Sequence, residues 1–432
     1  GLWFVACSSV FSMTTLVPLL IAASGGFLWA FGVLGKRVGV EGATNANRGV
    51  RAAITIFVYT LTTAITPLFN VWRLGLEGWQ RTWNTPEWSS RLPLLMICGV
   101  ISGIGGLLGT IAFAWAAGSS SGLISMIENG TYTMMSAILI ALYFHEHPKT
   151  QAYIGFVLIM LGVVLAQKSS TQRMEHVRQD ESDNEAEAEA SESSTGVTGA
   201  SHGSNGLDNS GSAADNVSIQ MSERSKEDGV SKQSVSIAVS AELQRMSSMA
   251  TSSSDCDDSM VAPTRFRFKA VALAVVAGTC WGFGPLGKKI GVHGSSKDQK
   301  EEWAACTYFV YMLSTCVVPL LRVMLSDATE RRESLKDKSF RWLLLGTMLC
   351  GIISGVGGML STYAFAQENE GYSGALISTV ENGIYTVFGA VLITVVFKER
   401  LSGQQMGSAL CVTLAIVIFG LDFHSLEKLF GK

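Results

Sequence analysis

The feature that most constrains the fold of this chain is an apolar stretch that occurs twice. It reads SGLISMIENGTYTMMSAILIALYFHE in the first half and SGALISTVENGIYTVFGAVLITVVFKE near the end. Each copy is long enough to cross a bilayer as a helix, which takes about 20 apolar residues. Each copy also carries an acid and an amide in its first third, Glu128 with Asn129 and Glu381 with Asn382. A carboxylate at the centre of a span costs about 2.5–3.5 kcal/mol on insertion scales, so two in register predict a functional site.

The rest of the chain places these stretches in a membrane protein. Apolar residues make up 48% of the 432 residues and charged residues 16%, with most charges in one central block and in short connections. The remainder divides into apolar runs of about 17 to 25 residues, the length of a membrane-spanning helix. We therefore predict an all-α, multi-pass integral membrane protein. The runs of the first half are 14–34, 52–72, 94–117, 122–144 and 151–167.

The central block differs from both flanking regions. Residues 168–263 are rich in Ser, Asp, Glu, Gly and Asn, contain no Phe, Trp or Tyr and show no sustained period. Such a segment buries too little apolar surface to offset the entropy lost on ordering. We predict a disordered, acidic, Ser-rich linker between two membrane units, residues 1–167 and residues 264–432.

The two units are copies of one pattern at an offset of about 252 positions. GGFLWAFGVLGKRVGV returns as AGTCWGFGPLGKKIGV, and GVISGIGGLLGTIAFA returns as GIISGVGGMLSTYAFA. Self-similarity of this kind indicates a duplicated structural unit. Because each copy has an odd number of predicted spans, the second copy enters the membrane from the opposite side. We expect about ten transmembrane helices arranged as two inverted five-helix repeats.

Several polar and aromatic residues of the spans are candidates for substrate contact. Each glutamate has a tyrosine one helical turn later, and the first helix of each copy ends in a tryptophan followed by a lysine. A buried carboxylate could bind a polar solute or carry a proton, while the alternative is a hydrogen-bonded cluster that joins the repeats. The lysines could attract an anion or extend to lipid headgroups. The candidates are Glu128, Asn129, Tyr132, Glu381, Asn382, Tyr385, Trp29, Trp281, Lys36 and Lys288.

Other charged residues lie at predicted span ends. Arg37 and Lys289 directly follow the candidate lysines, and we expect both to extend toward headgroups. Glu146 and Glu399 close the fourth helix of each copy, where we expect interfacial anchors or gate contacts rather than substrate ligands.

Several function classes lack support in the sequence. GxGxxG-like strings fall inside apolar spans rather than between a strand and a helix, so they do not indicate a dinucleotide fold. The sequence shows no phosphate-binding loop, metal-ligand spacing or nucleophile arrangement. We therefore expect a protein that is not an enzyme and that uses no cofactor, metal or nucleic acid.

The chain resembles the drug/metabolite transporter superfamily in its EamA-like branch. The residues that carry the resemblance are WAFGVLGK and WGFGPLGK in the first helix of each copy, and ILIALYFHE and VLITVVFKE at the end of the fourth. The resemblance implies ten helices, alternating access and substrates such as amino acids, other metabolites, cationic drugs or nucleotide sugars.

The sequence thus predicts a secondary active transporter of a small organic solute, with proton coupling left open. One alternative is an antiporter of nucleotide sugars or phosphorylated metabolites, in which the two candidate lysines bind the anion. Another is a membrane scaffold without transport activity that recruits partners through the acidic linker. The sequence is also compatible with a homodimer.

Overall fold

The computed structural model describes residues 13–116, 121–146, 263–367 and 374–398, with single positions between 154 and 161 and between 403 and 414. Of these residues 88% are helical and none forms a strand, which confirms the predicted all-α class. They belong to one compact unit formed by residues 1–171 and 258–432. The predicted linker lies outside the described residues except for Pro263, where a helix begins.

The first half forms two pairs of consecutive helices, one four-residue helix and two long helices. Its longest helix, α6 (Leu92–Ala116), is rich in glycine and leucine and has little polar surface, as expected for a span. Pro67 lies in the first turn of α4, just after the break at Ala64, where its missing N–H leaves no hydrogen bond unmade. The helices are α1 Met13–Trp29, α2 Phe31–Gly39, α3 Arg48–Thr63, α4 Ile65–Trp83, α5 Pro86–Ser89, α6 Leu92–Ala116 and α7 Ser121–Tyr143.

The second half repeats this order with different helix breaks. Helix α10 (Lys300–Leu325) covers the counterparts of α3 and of the first part of α4 without a break and continues through Pro319. The acidic side chain of Asp337 caps the long helix α12 by accepting a hydrogen bond from the Ser339 N–H. The helices are α8 Pro263–Trp281, α9 Phe283–Val292, α10 Lys300–Leu325, α11 Ala328–Lys336, α12 Lys338–Ala366 and α13 Gly374–Phe397.

Seven segments of the described chain are long and apolar enough to cross a membrane. This is the architecture of a multi-pass membrane protein. Helix α7 has the length of a span but is not among the seven, because Glu, Asn, Thr and Ser crowd its first half. The fifth run of each predicted repeat falls almost entirely outside the described residues. The seven segments are Val17–Gly39, Arg48–Gly75, Pro86–Ala116, Lys269–Val292, Lys300–Leu325, Lys338–Ala366 and Gly374–Phe397.

Helices of the two halves pack against each other reciprocally. Helix α1 packs on α12 and α13, and its counterpart α8 packs on α6 and α7. Helix α3 packs on α12 just as α10 packs on α6. The corresponding helices α7 and α13 also contact each other. The core of the protein is therefore the interface between its halves.

Two glycines allow the closest of these approaches. A Cβ at Gly26 on α1 would overlap the backbone carbonyl of Glu381, and a Cβ at Gly278 on α8 would overlap that of Glu128. Only a residue without a side chain lets the backbones approach this closely. Each candidate glutamate is consequently held against the first helix of the other half.

Candidate functional site

The two predicted glutamates each form a buried ion pair with a predicted lysine. Lys36 Nζ on α2 donates to Glu128 Oε1 on α7 at 2.6 Å, and Lys288 Nζ on α9 donates to Glu381 Oε1 on α13 at 2.7 Å. All four side chains are at most 2% exposed. We call Lys36 with Glu128 the first ion pair and Lys288 with Glu381 the second. Charge-assisted hydrogen bonds of this length are the strong ones in proteins.

The lysines are buried because the short helices that carry them are pressed against the other half. An added Cβ on Gly35 would lie 2.8 Å from the Cβ of Cys350 on α12. The equivalent Gly287 has the same 2.8 Å approach to Cys98 on α6. The side chain of a lysine adjacent to such a contact is enclosed by the protein, where it reaches a carboxylate rather than water. Of the two alternatives for these lysines, extension to the headgroups is therefore wrong.

The predicted tryptophans cover the ammonium groups from the opposite half. Lys36 Nζ lies 5.5 Å from the ring centroids of both Phe113 and Trp281. Lys288 Nζ lies 4.9 Å from the ring of Trp29. A cation over an aromatic face is attracted by the ring quadrupole, more strongly when both are desolvated. Each ion pair is thus assembled from both halves, with the charges from one and an aromatic wall from the other.

The two predicted tyrosines meet where α7 and α13 cross. The ring centroids of Tyr132 and Tyr385 are 6.2 Å apart with the planes at 87°, the edge-to-face arrangement that aromatic pairs favour. The Tyr385 hydroxyl is in addition a hydrogen-bond partner of Trp29. The tyrosines therefore link the regions around the two ion pairs.

The predicted asparagines bond to serines of the same helix interface. Asn129 Nδ2 donates to Ser125 Oγ at 3.1 Å. Asn382 Nδ2 donates at 3.1 Å to both Ser378 Oγ on its own helix and Ser136 Oγ on α7. This is the helix-joining cluster that the sequence left open as an alternative, and it accounts for the asparagines more directly than substrate contact does.

Some buried polar atoms around the ion pairs have no hydrogen-bond partner within the described chain. Each glutamate uses one oxygen for its lysine and leaves the other unbonded. Buried polar groups are nearly always hydrogen-bonded, so such a cluster calls for an explanation. The atoms are Glu128 Oε2, Glu381 Oε2, Trp281 Nε1 and Tyr308 Oη.

The expectation that Arg37 and Lys289 extend to the headgroups is wrong. Both are buried, at 3% and 2% exposure. Arg37 Nε donates to Ser121 Oγ at 2.6 Å, and its guanidinium pairs with Glu41. Lys289 pairs with Glu146 at the end of α7, which makes Glu146 a contact between the two halves. Glu41, four residues after Arg37, and Glu146, from the other half of the chain, bind these cations in place of lipid.

Two residues near the second ion pair were not predicted from the sequence. Tyr308 on α10 packs on Trp29, with ring centroids 6.0 Å apart. Ser361 on α12 accepts a hydrogen bond from Lys288 Nζ at 2.6 Å. The search for residues that recur in both copies missed them because the first copy has Ile56 and Gly109 at these positions.

Within the described ranges no cluster of three or more His, Cys, Asp or Glu side chains could hold a metal ion.

No protein-family model matches the sequence, and none of the curated proteins matches it. The fold and the site define a helical, multi-pass membrane protein whose core holds two buried lysine–glutamate ion pairs, each completed by the other half of the chain.

Proposed function

We propose that this protein is a secondary active transporter that moves a small organic solute across a membrane by alternating access. The observation that carries the proposal is that two buried lysine–glutamate ion pairs lie at the interface of the two halves. Ionisable groups inside membrane spans are rare and mark substrate or ion pathways. Here they occur twice, at corresponding positions, with carboxylate oxygens that have no partner within the described chain.

The reciprocal packing supports an inverted-repeat architecture of about ten helices, with residues 1–167 and 264–432 as the repeats. Transporters built this way hold their substrate near the bilayer midplane, where the two repeats meet. Rocking one repeat against the other changes the side from which that interface is open. The resemblance to the EamA-like branch of the drug/metabolite transporters points to the same mechanism.

The arrangement of charges favours a solute without phosphate groups over a nucleotide sugar or a phosphorylated metabolite. In the nucleotide-sugar alternative, Lys36 and Lys288 bind phosphate. Both ammonium groups, however, already bond a carboxylate, so a phosphate would have to displace it and leave a buried glutamate without its counter-ion. The scaffold alternative gives no reason for two buried ion pairs.

Ligand-dependent stabilisation tests the proposal. We expect one class among amino acids, sugars, organic cations and nucleotide sugars to raise the melting temperature of the detergent-purified protein. A ligand at about 100 times its Kd adds roughly 2.7 kcal/mol to the free energy of unfolding. The matched control is the double variant Glu128→Gln/Glu381→Gln, in which the shift should be lost. A folded wild-type sample that no class stabilises would contradict the proposal.

Proton coupling is tested by glutamine at each glutamate separately. Glutamine keeps the shape of the side chain but cannot bind and release a proton. We therefore expect E128Q and E381Q in proteoliposomes to lose uptake driven by a pH gradient while keeping part of solute exchange. Exposed Glu87 provides the control, since E87Q should retain the pH dependence. Unchanged pH dependence in both site variants would exclude the glutamates as proton carriers.

A further inference from the structure

The two ion pairs are chemically unequal, although the sequence repeats their charged members. Around the second pair stand the hydroxyl side chains of Tyr308 and Ser361. At the equivalent positions around the first pair stand Ile56 and Gly109, which have no polar side-chain atom. The two ends of the site therefore differ in hydroxyl groups, since the second pair has two side-chain hydroxyls at positions where the first has none.

Tyr308 is the most informative of these residues. It is fully buried, stacked at 6.3 Å on Tyr311 and packed on Trp29. Its phenol tip lies directly over Gly358, where any Cβ would overlap the hydroxyl. The hydroxyl nevertheless has no hydrogen-bond partner in the described part of the chain. Burying a phenol hydroxyl without a hydrogen-bond partner costs desolvation free energy, unless a bound molecule supplies the partner.

Lys288 and Glu381 share this end of the site. Lys288 is bonded both to Ser361 and to Oε1 of Glu381, and it lies over the same Trp29 ring on which Tyr308 packs. The second oxygen of Glu381 is buried and unbonded in the described chain, as is the Tyr308 hydroxyl. The carboxylate oxygen accepts hydrogen bonds, and the phenol hydroxyl both donates and accepts them. A hydroxyl group on a ligand, which both donates and accepts, is chemically complementary to each of them.

We propose that Tyr308 is a specificity-determining residue and that, with Glu381 Oε2, it binds a hydroxyl group of a transported solute that carries no net charge. The proposal rests on the function proposed above. The solute then binds in one orientation, with its hydroxyl end at the second ion pair and its apolar end toward Ile56 and Phe113.

The absence of net charge follows from the existing charge balance. The two ammonium and two carboxylate groups are already paired one to one at 2.6 and 2.7 Å. A solute with a net charge would add a buried charge without a counter-ion, which is unfavourable in a desolvated site. A neutral polyol or a zwitterion leaves the balance unchanged.

The first measurement asks whether the Tyr308 hydroxyl is free in the protein without solute. Tyr59 is the matched control, since it is equally buried but its hydroxyl bonds Ser354. We expect Tyr59→Phe to lower the melting temperature and Tyr308→Phe to leave it unchanged or raise it. An equal decrease in both variants would assign the Tyr308 hydroxyl a structural bond and overturn the proposal.

The second measurement compares solutes by titration calorimetry with the full-length wild type and Tyr308→Phe. The probes are two pairs that differ in hydroxyl content, L-threonine with L-valine and erythritol with 1,4-butanediol. For at least one pair we expect the wild type to bind the more hydroxylated member at least tenfold more tightly. Tyr308→Phe should reduce that ratio to near one. Charged relatives of the amino-acid pair, L-valine methyl ester and N-acetyl-L-valine, should bind at least tenfold more weakly than L-valine.

The outcomes separate this proposal from the proposed function. A preference that persists unchanged in Tyr308→Phe would overturn the role of Tyr308 and leave the transporter standing. Tighter binding of either charged relative, or binding of none of the hydroxylated probes, would overturn the assigned solute class, while stabilisation by another class would still support transport. Absence of binding by every solute class would overturn both.

Discussion

Methionine in place of Lys288 should lower the free energy of unfolding by about 3–5 kcal/mol. Removing one partner of a buried ion pair leaves the other charge without compensation, and this cost exceeds that of losing the contact itself. Here the remaining group is Glu381, which is 1% exposed and loses the hydrogen bond that Lys288 donates to its Oε1. Ser361 loses its donor as well. The measurement is denaturant or thermal unfolding of the purified protein in one detergent.

The double variant Lys288→Met/Glu381→Leu identifies the cause. It removes both charges, and replacing a buried ion pair by apolar side chains of similar size is often neutral or stabilising. We therefore expect it to be more stable than Lys288→Met alone. The control is Lys336→Met on the exposed helix α11, which should change stability little. A double variant as unstable as the single one would show that packing rather than charge causes the loss.

Alanine at Gly26 should lower the free energy of unfolding by about 1–3 kcal/mol, the usual cost of overpacking a close contact. The new methyl group would overlap the backbone carbonyl of Glu381, so α1 and α13 must separate. Alanine at Gly278 should have the same effect through Glu128. Because these contacts lie between the two halves, solute uptake should fall along with stability.

Gly346 on α12 provides the matched control for these glycine variants. Its added Cβ would lie 3.4 Å from a Val38 methyl group, close to ordinary van der Waals contact. Alanine there also gains helix propensity, worth roughly 0.5–1 kcal/mol. Gly346→Ala should accordingly be neutral or slightly stabilising in the same unfolding assay. Equal losses at Gly26 and Gly346 would contradict the assignment of a backbone contact at Gly26.

The proposed function explains the buried ion pairs better than a stabilising role does. A buried ion pair is weak evidence for stability, since apolar residues of similar size often serve as well. Both pairs nevertheless lie at corresponding positions, face tryptophans of the opposite half and leave carboxylate oxygens unbonded within the described chain. These are the properties expected of groups that exchange partners when a solute or proton binds.

The sequence by itself determined the class of the fold and the chemical members of the site. The length of the apolar runs predicts membrane-spanning helices, because a helix is the structure that satisfies backbone hydrogen bonds of a single segment in lipid. Charged groups are costly inside membrane spans, which identified Glu128, Glu381, Lys36 and Lys288 as candidates. Their recurrence at an offset of about 252 positions indicated corresponding roles in the two copies.

Only the tertiary structure decided how these residues combine. Lys36 and Glu128 are separated by 92 positions, and the tryptophan over Lys36 comes from the other half, so no local spacing reveals either contact. Arg37 extends inward because folding brings Ser121, 84 positions away, within its reach. Tyr308 has no tyrosine counterpart in the first copy, and only the packed protein shows that its hydroxyl has no partner among the described residues. The physical reason is the same in each case. A buried polar group in a membrane protein bonds to groups on the helices that pack against its own, and that packing depends on the tertiary fold of the whole chain.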